Sequence, residues 1–80
     1  MRLFATAGAM LRDARLTLDR SQLALARRAG VSQNTIQRYE LGDSEPGPRT
    51  LLAITRALRI VVILRQGNWS WETIDDYDAR

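Results

Sequence analysis

Four side chains in this sequence could do directional chemistry together: Gln33, Asn34, Gln37 and Arg38, which recur at helical spacing. Gln and Asn can form paired hydrogen bonds with the major-groove edge of adenine, and Arg can do the same with guanine. Between Ser21 and Leu41 no acid precedes Glu40. A face with two Gln, one Asn and one Arg, free of carboxylates, suits contacts to base edges better than plain solvation.

Those residues must be presented by the stretch from Ser21 to Gly42, which reads as two short helices, about 21–29 and 32–41. The first carries Leu25, Ala26 and Ala29 inward. Gly30 breaks it, where the chain needs a positive φ that Gly reaches cheaply. Ser32 is a good N-cap, because its hydroxyl can accept from the free N–H of Asn34 or Thr35. Ile36 and Tyr39 then lie on the inner side of the second helix. Ala26 is small enough to let the helices cross closely, and Ile36 would plug the angle between them.

The flanking elements follow from periodicity. Phe4, Ala7, Leu11, Ala14 and Leu18 are spaced 3, 4, 3, 4, one apolar stripe that predicts a first helix. A tight link, Leu16 to Arg20, leads to the next helix, which either Asp19 or Ser21 could cap. After Gly42, the Pro- and Gly-rich run Asp43–Pro48 is a loop. Pro48 suits the first turn of another helix, with Leu51, Ile54, Thr55 and Leu58 against the core and an end near Leu58.

The set Arg15, Ser21–Gln22, Leu25–Ala26, Gly30–Val31–Ser32, Ile36, Tyr39–Glu40, Gly42, Pro48, Thr50–Leu51 and Ala57–Leu58 resembles the phage repressor/Cro, or XRE, family of helix-turn-helix proteins. The resemblance covers roughly positions 7 to 60, with the family's internal spacing. It implies that Gln33, Asn34, Gln37 and Arg38 make DNA base contacts and that Gln22, Ser32, Thr35 and Arg49 make backbone contacts. It also implies a partly buried ion pair between Arg15 and Glu40, a guanidinium fork pinning two helices in one orientation. Departures are visible. Leu23 and Ala24 stand where polar residues are usual, Thr55 where Ala is more common, and Arg59 where Gly is common. Asp43 and Glu45 would repel phosphate, leaving Arg49 as the candidate on the loop side.

Composition agrees. The chain has 80 residues, a formal charge of +3 and twelve basic residues, all of them Arg. Residues 1–69 hold eleven Arg against five acids (+6), whereas residues 70–80 hold one Arg against four acids (−3). A basic body suits a polyanion, with the acidic end directed away from it. The absence of Cys and His removes disulfides, thiol nucleophiles, histidine bases and Cys/His zinc sites. Asp75, Asp76 and Asp78 have no base, nucleophile or pocket with them, so no enzyme, cofactor or metal site is expected. No apolar run approaches a membrane span and the N-terminus lacks a secretory pattern, so a cytoplasmic protein with no membrane partner is expected.

Beyond Ile60 the resemblance ends. Ile60–Leu64 is a β-branched apolar run, Gln66–Gly67–Asn68 is a turn, and Trp69, Trp71 and Thr73 alternate with Ser70, Glu72 and Ile74. This predicts a hairpin, about 60–65 and 69–74. The expected fold is therefore mainly α: a four- to five-helix repressor-like DNA-binding domain, 1–59, with a C-terminal β-hairpin segment and acidic tail, 60–80. Four short helices can cover one face of such a hairpin, and its remaining face or edge calls for a partner. The simplest is a second copy, with Ile60, Val62, Leu64, Trp69 and Trp71 at the dimer interface. Two recognition helices about 34 Å apart would then read a two-fold symmetric site. The function expected is a sequence-specific regulator of transcription that binds double-stranded DNA, most simply a homodimeric repressor. The alternative is an antitoxin, as small proteins resembling this family often are. Its hairpin and acidic Asp75–Asp78 segment would then face a cognate toxin protein, while the helices repress its own operon.

Overall fold

The computed structural model describes residues 2–80. Five helices and one hairpin follow in order: α1 Ala7–Thr17, α2 Gln22–Ala29, α3 Gln33–Leu41, α4 Pro48–Leu58, β1 Ile60–Arg65, β2 Asn68–Thr73 and α5 Ile74–Asp78. Local chemistry explains the boundaries. Thr6 caps α1 by accepting from the Ala9 N–H, and Ser21, not Asp19, caps α2 by accepting from Ala24. Gly30 ends α2 with φ 75° and Gly42 ends α3 with φ 83°, both left-handed positions where a Cβ is costly. Pro48 opens α4, where its missing N–H costs nothing.

Arg59 ends α4 in the left-handed region, φ 57°, where an L side chain costs about 1–2 kcal/mol. Arg59→Gly is therefore expected to stabilise the chain by about 0.5–1 kcal/mol after the extra backbone entropy of Gly is charged. Thermal denaturation would show it as a rise of a few degrees.

The core is one cluster. Met10, Leu11 and Ala14 of α1 meet Leu25 and Ala26 of α2, Ile36 of α3, Ile54 and Leu58 of α4, and Ile60 of β1. Thr55, the departure from Ala, is 9% exposed and satisfies its hydroxyl by donating to the Leu52 carbonyl at 2.9 Å. Leu23 is simply an exposed apolar side chain, 42% accessible. The tightest crossing is between α1 and α3: a Cβ built on Gly8 would lie 1.9 Å from the Tyr39 carbonyl oxygen. Only glycine lets α1 approach α3 there.

Three expectations are corrected. Phe4 is not on the first helix; it precedes Thr6 and forms an isolated antiparallel bridge with Trp69, exchanging both backbone hydrogen bonds at 2.8 and 2.7 Å. Strand β2 starts one residue early, at Asn68, because the turn is only Gln66–Gly67, both at positive φ, the pattern of a two-residue hairpin. The acidic end is not a plain tail. Thr73 caps the short helix α5 by accepting from Asp76, and Asp75 and Asp76 occupy its first turn, where the helix dipole favours them.

The hairpin register pairs Ile60 with Thr73, Val62 with Trp71, and Leu64 with Trp69. These side chains share one face, and Ile60, Val62, Trp69 and Trp71 pack on the helical core. Trp71 is further fixed because its indole N–H donates to Asp13 of α1 at 2.8 Å, and Asp13 also pairs with Arg2 at 2.7 Å. Arg80 pairs with Glu72. No helix among the described residues is long and apolar enough to cross a membrane.

Candidate nucleic-acid interface

Helix α3 buries Ile36 (2% exposed) and half-buries Tyr39 against the core. With those two residues inward, the 100° step of the helix turns Gln33, Asn34, Gln37 and Arg38 outward, and all four are exposed. Among the described residues none of the four side chains is engaged in an intramolecular hydrogen bond. Their donors and acceptors are free for a ligand.

The residues expected to touch the backbone sit around this face in different states. Arg49, in the first turn of α4, is exposed. Ser32 accepts from the Thr35 N–H at 3.1 Å, and the two hydroxyls hydrogen-bond to each other at 2.8 Å. That pair uses one of its two hydroxyl protons internally and keeps the other for an outside acceptor such as a phosphate oxygen. Helices α2, α3 and α4 carry no acid in their first turns, so the positive ends of their dipoles are not neutralised from within.

What holds α3 in place is a small ionic network under it. Arg15 of α1 clamps Glu40 with its fork, Nε to Oε2 at 2.7 Å and Nη2 to Oε1 at 2.8 Å. Its remaining Nη1 donates to the Arg20 carbonyl at 2.9 Å, and Gln22 Nε2 donates to Glu40 Oε1 at 3.0 Å. The Arg15 and Glu40 side chains are only 10% and 4% exposed. The hydrogen bonds to Glu40 raise the pKa of Arg15 above its ordinary value, against the opposing effect of burial and with the carboxylate's charge adding to the rise. Arg15 therefore stays charged throughout the accessible pH range. Gln22 reaches from the start of α2 to the end of α3, so the network fixes α1, α2 and α3 relative to one another.

Of the five residues expected at a dimer interface, the chain itself engages most. Ile60 is 5% exposed in the core, Trp71 is held by Asp13, and Trp69 pairs with Phe4, whereas Leu64 is 56% exposed. Reasoning from sequence missed Gly8, Asp13 and the Phe4 bridge. A glycine with no turn around it and an Asp on a helix carry no local signal of partners far along the chain.

A family model described as helix-turn-helix matches residues 11–61, which takes in α2, α3 and the network beneath them. The chain belongs to the XRE-type helix-turn-helix family. Comparisons with curated proteins and with solved structures gave no match. Membership makes this XRE-type protein a DNA-binding regulator of transcription. The matched region ends at Val61, so the hairpin and α5 lie almost wholly outside it.

Proposed function

We propose that this XRE-type protein is a homodimeric repressor that reads a palindromic operator through the major groove. The observation that carries the reading is the α3 face: Gln33, Asn34, Gln37 and Arg38 exposed and uncommitted on a helix clamped from beneath by Arg15–Glu40. In this reading those four side chains contact base edges. Gln22, Ser32, Thr35 and Arg49 contact the sugar-phosphate backbone and set the register. Arg38 has the geometry to pair with guanine, and the three amides to pair with adenine. Occupation of an operator excludes polymerase, which is repression by position.

Gln33→Ala and Arg38→Ala are each expected to weaken operator binding by about 1–3 kcal/mol and to relax specificity at one base pair. Arg49→Ala is expected to weaken binding to all sequences alike and to lower the salt slope by about one. Fluorescence anisotropy with operator and scrambled duplexes over a salt series measures both. Unchanged operator affinity in Gln33→Ala and Arg38→Ala would refute the assignment. The antitoxin reading takes its support from α5, whose Asp75, Asp76 and Asp78 are exposed. A chain that is monomeric in solution and binds half-sites only would favour it over the homodimer.

A further inference from the structure

The hairpin has two edges, and the structure treats them differently. Trp69 exchanges its backbone N–H and C=O with Phe4, so those groups point away from β1. Its cross-strand partner Leu64 is thereby a non-hydrogen-bonded residue of the β1–β2 ladder. By the alternation of an antiparallel pair, Ile60, Val62 and Leu64 all direct their N–H and C=O away from β2. The Ile74 N–H to Arg59 carbonyl bond, 3.0 Å, has the same phase. Among the described residues nothing pairs with β1 on that side. The β2 edge is blocked at Trp69 by Phe4, whereas the β1 edge is open along its length.

We propose that two copies of this chain join through their open β1 edges, antiparallel, with Val62 of each on the two-fold axis, making one continuous sheet. This rests on the dimeric reading above and specifies its interface. The open edge fits itself. With Val62 facing Val62 of the second copy, Ile60 faces Leu64 and Leu64 faces Ile60, so every outward backbone group meets a partner in the right phase. On the opposite edge the Phe4 bridge occupies the backbone groups of Trp69, so β1 is the longer unblocked edge.

Side chains and charge agree with that occupant. On the face turned away from the core, the register sets Val61 against Ile63 of the second copy, and Ile63 against its Val61. These are β-branched pairs at the closest cross-strand spacing. On the other face, Leu52 and Leu64, 49% and 56% exposed, flank an apolar groove between α4 and the hairpin lined by Leu51, Val62 and Trp69. A strand added to β1 extends the sheet beside this groove. Arg65, at the tip of β1, falls opposite Arg59 of the second copy, and α5 begins beside Arg59. Among the described residues the three carboxylates of α5, Asp75, Asp76 and Asp78, form no salt bridge, and they outnumber the two guanidiniums of that Arg59–Arg65 pair.

The test uses the full chain, which has no native cysteine. Val61→Cys and Ile63→Cys chains are oxidised separately and as a mixture. The proposed register puts position 61 of one copy directly opposite position 63 of the other at about 4.5 Å between Cα atoms, within disulfide reach. Like positions are diagonal and roughly 7–8 Å apart. The expected result is a crosslinked dimer dominated by the mixed species. Leu64→Pro removes an outward N–H without touching the β1–β2 bonds, and is expected to raise the dimer dissociation constant at least about tenfold by sedimentation while circular dichroism stays native. A dimer that crosslinks without preference and survives Leu64→Pro would overturn the edge pairing and leave the dimeric reading standing. A monomer at tens of micromolar would overturn both.

Discussion

Arg15→Ala is expected to destabilise the fold by about 3–5 kcal/mol, the cost of leaving a buried charge without its partner. Glu40 keeps only Gln22 in that variant, and its carboxylate is only 4% exposed in the native chain. For a chain of this size total stability is on the order of 5–10 kcal/mol, so the loss would take a large share of it. Arg15→Lys should recover only part, because an ammonium cannot supply the two parallel bonds of the fork or the third to the Arg20 carbonyl. The double variant Arg15→Met with Glu40→Leu should regain most of the loss, since replacing both members with apolar groups removes the desolvation cost as well as the attraction. Urea denaturation of the four proteins checks the series. The double variant also separates two roles. If the pair is retained for geometry, it will be stable yet bind operator less well, because no other side-chain hydrogen bond among the described residues ties the end of α3 to α1.

Gly8→Ala is the second large effect. The added methyl would sit 1.9 Å from the Tyr39 carbonyl oxygen and 2.8 Å from its carbon. Both are backbone atoms that no rotamer change can move. Either α1 or α3 must shift, at a cost at or above the upper end of the roughly 1–3 kcal/mol typical of overpacking. Thermal denaturation should show a fall of ~10 °C or more for a domain of this size. The effect reaches function, because the displaced element carries Arg38 and Glu40 on either side of Tyr39. Gly8→Ser should behave alike, whereas alanine at Ala9, which is exposed in the next position, already shows that the helix itself tolerates a side chain there.

The contrast between these two sites shows what the sequence could convey. Arg15 and Glu40 stood at family spacing, and their types suggested a pair before any geometry was known. The turn between α2 and α3 was legible because Gly30 and Ser32 act within a few residues of themselves, through a positive φ and a cap. The β-branched run Ile60–Leu64 announced β1 for the same local reason. Gly8 was silent, since its importance lies in a carbonyl 31 positions away. Asp13 was equally silent, because its partner Trp71 lies 58 positions away. Phe4 misled: its spacing matched the apolar stripe of α1, but Thr6 capped the helix two residues later and freed Phe4 to pair with Trp69. Periodicity reports which side chains could share a face, and capping decides where the helix begins. The α3 face was read from spacing alone because exposure follows directly from Ile36 and Tyr39 being inward.

The central claim is that α3 reads sequence in duplex DNA. The most direct measurement selects duplexes from a random pool with the purified full chain, then compares affinity for the enriched duplex and a scrambled one at physiological salt. The predicted result is a two-fold symmetric enriched sequence bound at least about 10³-fold more tightly than the scramble, with that preference reduced in Gln33→Ala and Arg38→Ala. No enrichment, or equal affinity for both duplexes with only a steep salt dependence, would contradict the claim and leave the basic surface as a nonspecific polyanion binder.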